Sequence, residues 1–206
     1  ADSIENLKLI TKQFSEIKST KNPNIGVRLS FDNQKLISRF GIEYNKKNFS
    51  EIINILNSVG LEFPSCIHIH YPQRDLNSYK YRLNILRNFI EEYKDLISKS
   101  LCKIDIGGAF PSKMPKVLKN NFKYDIGEII EYSNELKKIN NSISIPQLRW
   151  IVEPGTALVA NCLHAVGHIS TFNQKSSNII LNTDLSKTLV GGLKNSINYP
   201  ITFINT

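Results

Sequence analysis

Residues 104 to 111 read Ile104-Asp105-Ile106-Gly107-Gly108-Ala109-Phe110-Pro111, a short apolar run that passes straight into two glycines. Paired glycines after a buried strand let the main chain approach a ligand closely, and successive inward N–H groups form a nest suited to phosphate. A tight strand-to-loop turn would use the same residues. Outward from this stretch, similar runs occur at Ile25 to Phe31, closed by Asp32-Asn33, at Ser65 to His70, and at Leu148 to Val152, closed by Glu153-Pro154-Gly155. Helical periodicity fills the intervals: Ile4 to Ile17, opened by Asp2 or Ser3, residues 49 to 59 stopping at Gly60, Asn77 to Ser100, and residues 125 to 139. Four strands alternating with four helices, the strands read as continuous apolar runs, predict an α/β fold with a parallel sheet buried on both faces. Such folds build their sites at the C-terminal strand ends, where Arg28, His68, His70, Asp105, Gly107, Gly108 and Glu153 fall. After Ala160 the rhythm changes: His168 to Phe172, Asn178 to Leu181 and Tyr199 to Ile204 read as short strands without helices between them. A β-rich region is therefore expected from about residue 163.

The 206 residues suffice for a packed core, and 41% hydrophobic with 21% charged residues is a globular composition. No apolar run reaches the roughly eighteen residues of a membrane span, and Ala1-Asp2-Ser3-Ile4-Glu5 lacks the basic and apolar regions of a secretory signal. A cytoplasmic protein is the resulting expectation. The net charge of +8 comes from lysines interspersed with glutamates, as in Glu135-Leu136-Lys137-Lys138. Without a basic block the excess suits anionic small molecules and not nucleic acid. Cys66, Cys102 and Cys162 are odd in number and lack CxxC spacing, so neither a disulfide framework nor a zinc site is expected. Cys66 and Cys102 begin strands and read as small buried hydrophobes.

Glu153 ends an apolar strand, where dry surroundings are expected and a carboxylate needs a partner. A protonated ring nitrogen would serve, and so would Arg28 in a structural ion pair. His68 and His70 are read as facing opposite sides of the sheet, one toward the ligand and one packed in the core. On that reading they cannot clasp a metal together. No serine nucleophile elbow, P-loop or HExxH motif is present.

Taken in order, Val27-Arg28-Leu29-Ser30, Ser38-Arg39-Phe40-Gly41-Ile42, Ile67-His68-Ile69-His70, Asp105 to Pro111 and Glu153-Pro154-Gly155 resemble the fold-type-III pyridoxal-phosphate decarboxylases of ornithine, diaminopimelate, arginine and carboxynorspermidine. The resemblance implies a TIM-type (β/α)8 barrel of the alanine-racemase kind over residues 1–162, binding pyridoxal 5'-phosphate and incomplete at its N-terminal side. The start of a C-terminal β domain would follow over residues 163–206. It implies that Gly107, Gly108 and Ala109 hold the cofactor phosphate, that His70 stacks on the pyridine ring, and that Glu153 pairs with the protonated ring nitrogen. His70 and Glu153 would then be the catalytic residues. Arg28 would lie near the ring, and Gly155 and Thr156 would complete the cofactor site.

The implied activity is that of a lyase of amino acid or polyamine metabolism, decarboxylating a basic or diamino acid as a homodimer. The alternative is a non-catalytic homologue that acts as a binding or regulatory protein. Three positions depart from the family pattern. Ala109 replaces a third glycine, Tyr71-Pro72-Gln73 replaces a Gly-Ser, and Thr156 stands where an arginine often follows Glu-Pro-Gly. The family's Schiff-base lysine is expected upstream of Ala1, in a barrel strand before those seen here. Tyr44-Asn45-Lys46-Lys47-Asn48 imitates its context but leads into a helix. The segment that supplies cysteine and aspartate to the partner subunit is expected beyond the other end.

Overall fold

A computed structural model describes residues 1–17, 23–32, 38–111, 126–146, 148–159, 166–175 and 178–184. The chain divides into two units, Ala1–Pro111 with Ile126–Thr156, and Ser112–Asp125 with Ala157–Thr206. The sequence-based boundary near residue 163, Cys162 and the strand expected at Tyr199 to Ile204 lie outside the described residues.

Helix termini follow the capping chemistry of the sequence. Helix α1 (Ile4–Glu16) opens on Ser3, whose hydroxyl accepts the Asn6 N–H at 3.0 Å. After strands β1 (Gly26–Ser30) and β2 (Ile42–Glu43), helix α2 (Lys46–Asn57) opens on Asn45, whose side chain accepts the Asn48 N–H at 2.8 Å. That cap starts the helix three residues before the expected Phe49 and leaves Lys46 and Lys47 exposed in its first turn. Strand β3 (Cys66–His68) leads to helix α3 (Leu76–Glu92), capped by Asp75, and to helix α4 (Lys94–Ser100). A single helix over Asn77 to Ser100 was the expectation; the break falls at Tyr93, whose backbone leaves the helical region at φ −111° and ψ 22°. Strand β4 (Lys103–Asp105), helix α5 (Ile129–Ser142), strand β5 (Arg149–Ile151) and the short helix α6 (Gly155–Val159) follow. Helix α5 begins on a capping box, Glu128 with Glu131, four residues after the expected start.

The five strands form one parallel sheet in the order β2-β1-β3-β4-β5. Strands β1, β3, β4 and β5 are neighbours in chain order with helices in their connections, as in a barrel wall, and the two-residue β2 flanks β1 on its other side. Ala1 adds one further parallel contact to β1: its amino group donates to the Gly26 carbonyl at 2.8 Å and its carbonyl accepts from the Arg28 N–H at 2.7 Å. Register aligns Val27, Ile67, Ile104 and Trp150 across the sheet, and Arg28, His68, Asp105 and Ile151 in the next row. The first three residues of the apolar row are almost fully buried, as are Leu29, Ile69 and Ile106 above them. Helices supply the rest of this core through Leu7, Ile52, Leu56, Leu83, Leu86 and Ile90.

The expected burial on both faces is corrected. Each strand alternates, so its polar residues share one face, and Arg28, His68 and Asp105 are only half-buried there. In the second unit, β6 (Ile169–Lys175) and β7 (Asn178–Thr183) pair antiparallel, with Phe172 opposite Leu181. The Asp184 carboxylate accepts the His168 N–H at 2.8 Å beside the open end of this hairpin. Both strands run longer than their sequence pattern suggests. No helix among the described residues is long and apolar enough to cross a membrane.

Candidate active site

Parallel register brings the polar strand ends together. Arg28, His68 and Asp105 are neighbours in one row. Two residues further on, the same face carries His70, Gly107 and Glu153, and the Glu153 N–H donates to the Gly107 carbonyl at 2.9 Å. The Glu153 carboxylate Oε2 lies 3.7 Å from His70 Nδ1 and 3.8 Å from His68 Nε2. The two histidines therefore share a face, against the opposite-face expectation. The physical reason is the period of the strand itself, which returns residues i and i+2 to the same side. With Glu153 they form a group whose ligand atoms lie within 4.8 Å of one another, so the geometric objection to a shared cation does not hold.

Each side chain is held by its neighbours. Gly107 donates its N–H to Asp105 Oδ1 at 2.9 Å, and Gly108 donates to His70 Nδ1 at 3.2 Å. The second bond fixes the His70 tautomer: Nδ1 carries the lone pair, and the proton sits on Nε2. Arg28 donates from Nη2 to the His70 carbonyl at 3.4 Å and stands 5.2 Å from the centroid of the Phe40 ring. It makes no ion pair with Glu153, which excludes the structural pairing weighed from the sequence. The surroundings of Glu153 are wetter than expected, its side chain being 50% exposed, because it projects past Ile151, the last residue of β5.

Burial sets the protonation states. It pulls the His68 imidazole below its ordinary value, against the opposing pull of the Asp105 and Glu153 carboxylates. Burial also pulls His70 down, helped by the positive charge of Arg28. The same desolvation pushes the Asp105 carboxyl up, while the Gly107 N–H works the other way. At neutral pH both imidazoles are uncharged.

The glycine pair is required by space. A Cβ on Gly107 would lie 2.6 Å from the Ile69 carbonyl oxygen and 2.8 Å from His70 Nδ1, at φ +66°. One on Gly108 would lie 2.7 Å from the Glu153 carbonyl oxygen. Ala109 repeats the positive φ, also +66°. Gly155 has open space where a Cβ would go, and Thr156 follows it in the first turn of α6. Tyr71, between His70 and the two positions where the family has Gly-Ser, is a core residue whose hydroxyl accepts the Phe31 N–H at 2.6 Å. Sequence reasoning missed His68 as a member of this cluster, although the alternation of Ile67-His68-Ile69-His70 carries the signal.

No family model and no curated protein sequence matches the chain. Solved structures do. The lysine/ornithine decarboxylase from Vibrio vulnificus, complexed with cadaverine, superposes with a TM-score of 0.68 at 18% identity, over 99% of this chain and 50% of that one. The chain shares the fold of these decarboxylases. Diaminopimelate decarboxylase from M. jannaschii, in co-complex with L-lysine, gives 0.67 at 17% identity, over 91% of this chain and 44% of that one. A mutant of SrLDC in complex with PLP gives 0.53 at 15% identity, over 88% and 45%. The chain thus spans about half the length of the decarboxylases it resembles. The decarboxylase likeness is that of fold-type-III pyridoxal-phosphate enzymes and confirms the fold resemblance drawn from the motifs.

Proposed function

We propose that the chain carries the pyridoxal-phosphate site of a decarboxylase acting on a basic or diamino acid. In this reading the complete protein is a (β/α)8 barrel joined to a β domain and works as a homodimer. The observation that carries it is the meeting of Glu153, His70 and the Gly107-Gly108 pair at the C-terminal ends of adjacent parallel strands. This occurs in a fold shared with decarboxylases.

The residues fit the cofactor. A carboxylate is available for the ring N–H and an uncharged imidazole for the ring face, and the main chain at Gly107 and Gly108 packs directly against His70 and Glu153, which brings that loop to the same strand ends. The buried Arg28 Nε and His68 Nε2 have no hydrogen-bond partner, so the site holds unused donors. Glu153 would hold the ring nitrogen in its protonated form, and His70 would lie against the ring. Gly107, Gly108 and Ala109, with Gly155 and Thr156, would hold the phosphate. The N–H of Gly107 would then exchange Asp105 for a phosphate oxygen, while that of Gly108 keeps its bond to His70 Nδ1. When bound, pyridoxal phosphate supplies an electron sink for the carbanion left as carbon dioxide departs. The chain's own contribution is electrostatic: the Glu153 carboxylate favours the charged ring nitrogen, and neutral imidazoles place no competing positive charge beside it.

The test is carbon dioxide release by the complete protein, loaded with pyridoxal phosphate, from a panel of basic and diamino acids. Release is expected from at least one of them, and Glu153→Gln is expected to lower kcat about 100-fold or more with the fold intact. Cofactor binding without release from any substrate would favour the non-catalytic homologue. Absence of cofactor binding would leave only an unrelated phosphate-binding α/β protein.

A further inference from the structure

His68 is the group that this reading leaves unused. It lies on the same face as His70, its Nε2 is buried without a hydrogen-bond partner, and that nitrogen is 3.8 Å from Glu153 Oε2. The two imidazoles are not equivalent toward the carboxylate. His70 Nδ1 accepts the Gly108 N–H, so it presents a lone pair to Glu153 across 3.7 Å and can donate nothing from that atom. His68 Nε2 has no such engagement. A buried N–H without an acceptor costs about 1–3 kcal/mol. The Glu153 side chain, half in solvent, is free to close the remaining gap of about 1 Å to ordinary hydrogen-bond distance.

We propose that His68 is a positioning residue, its Nε2–H donating to the Glu153 carboxylate and aiming that carboxylate along the sheet face. The inference rests on the cofactor reading for its catalytic meaning, while the pairing itself is a property of the chain alone. The charged and titratable groups that face His68 are Arg28 from β1, Asp105 from β4, Glu153 after β5 and His70 on its own strand end. Asp105 and Glu153 favour its protonated form, and Arg28 opposes it.

The pairing is tested first without cofactor, by NMR titration of the histidine side chains in the complete protein. His68 is expected as the Nε2–H tautomer, and Glu153→Gln is expected to lower its midpoint by about half a pH unit or more, since an adjacent anion is lost. An unchanged midpoint, or a His68 proton on Nδ1, would overturn the pairing. In the loaded enzyme, His68→Gln, which keeps a donor, is expected to retain kcat within about three-fold. His68→Leu, which has none, is expected to lose about ten-fold or more in kcat with KM little changed. Its acid limb in the pH profile should also move, because the group that titrates there is gone. Wild-type kcat and an unmoved acid limb in His68→Leu would overturn the positioning role. A coupled NMR titration in a protein that never binds pyridoxal phosphate would refute the decarboxylase reading and leave the pairing standing.

Discussion

Ala109 holds a backbone conformation that costs an L-residue with a Cβ roughly 1–2 kcal/mol, at φ +66°. The residue that departs from the family's third glycine therefore sits where glycine is favoured. Ala109→Gly is expected to raise stability by about 0.5–1 kcal/mol, less than the strain because glycine loses more entropy on folding, and urea unfolding of the complete protein measures it. Lower stability would show that the loop draws on the methyl group for packing. The reverse change two residues earlier behaves differently. Gly107→Ala is expected to cost about 2–4 kcal/mol, since its Cβ would press on the Ile69 carbonyl and on His70. At this scale the sequence made Gly107, Gly108, His70 and Glu153 legible, because strand-end chemistry followed by glycine is a local pattern. The exposure of Glu153 was not legible, because it depends on where β5 stops, and β5 ends at Ile151, one residue before the apolar run ends at Val152.

The long apolar period from Asn77 to Ser100 gives no local sign of the interruption between α3 and α4. Tyr93 sits there in an aromatic cluster, its ring centroid 4.6 Å from Phe49, 4.9 Å from Phe89 and 5.9 Å from Phe63. Two of those partners, Phe49 and Phe63, lie outside α3, so the cluster around the break is tertiary. Caps were easier to see: Ser3 was legible as a helix start, whereas Asn45 was hidden behind the lysines that follow it. Helix α3 also carries Arg82, 2% exposed, with no hydrogen-bond partner for Nε, Nη1 or Nη2. Its guanidinium lies 5.3 Å from the centroid of Tyr79, whose own hydroxyl, pushed up to about 12 by burial, has no partner either. An unpaired buried charge is outweighed by an apolar side chain of similar length. Arg82→Met is expected to stabilise the protein by about 1–3 kcal/mol, read as a higher midpoint in thermal unfolding. A lower midpoint would mean that the guanidinium is worth more than its stacking.

Across the whole molecule, the parallel arrangement of the sheet is what the alternation of strands and helices announced. The two-faced character of the sheet was misread, because half-polar strands such as Lys103-Ile104-Asp105-Ile106 look continuous only if their charges are discounted. That polar face makes stability depend on pH. His68 and His70 are held below the ordinary imidazole value of 6.5, so the unfolded chain binds their protons more tightly than the folded one. Their contribution is present above 6.5 and is lost as pH falls through the folded values. Asp105 is raised above 3.8 and acts with the opposite sign, losing stability as pH rises through its folded value. The urea midpoint is expected to rise between about pH 5 and 7, and a protein carrying both His68→Gln and His70→Gln is expected to show a flatter rise. An identical slope in that double variant would remove the histidines from the explanation. The central claim is that strand ends from one parallel sheet form a cofactor site around Glu153. A crystal structure of the complete protein with pyridoxal phosphate tests this most directly: the expected result places the pyridine nitrogen about 3 Å from a Glu153 oxygen with the ring against His70. A phosphate or ring bound away from residues 107–109 and 153 would contradict it.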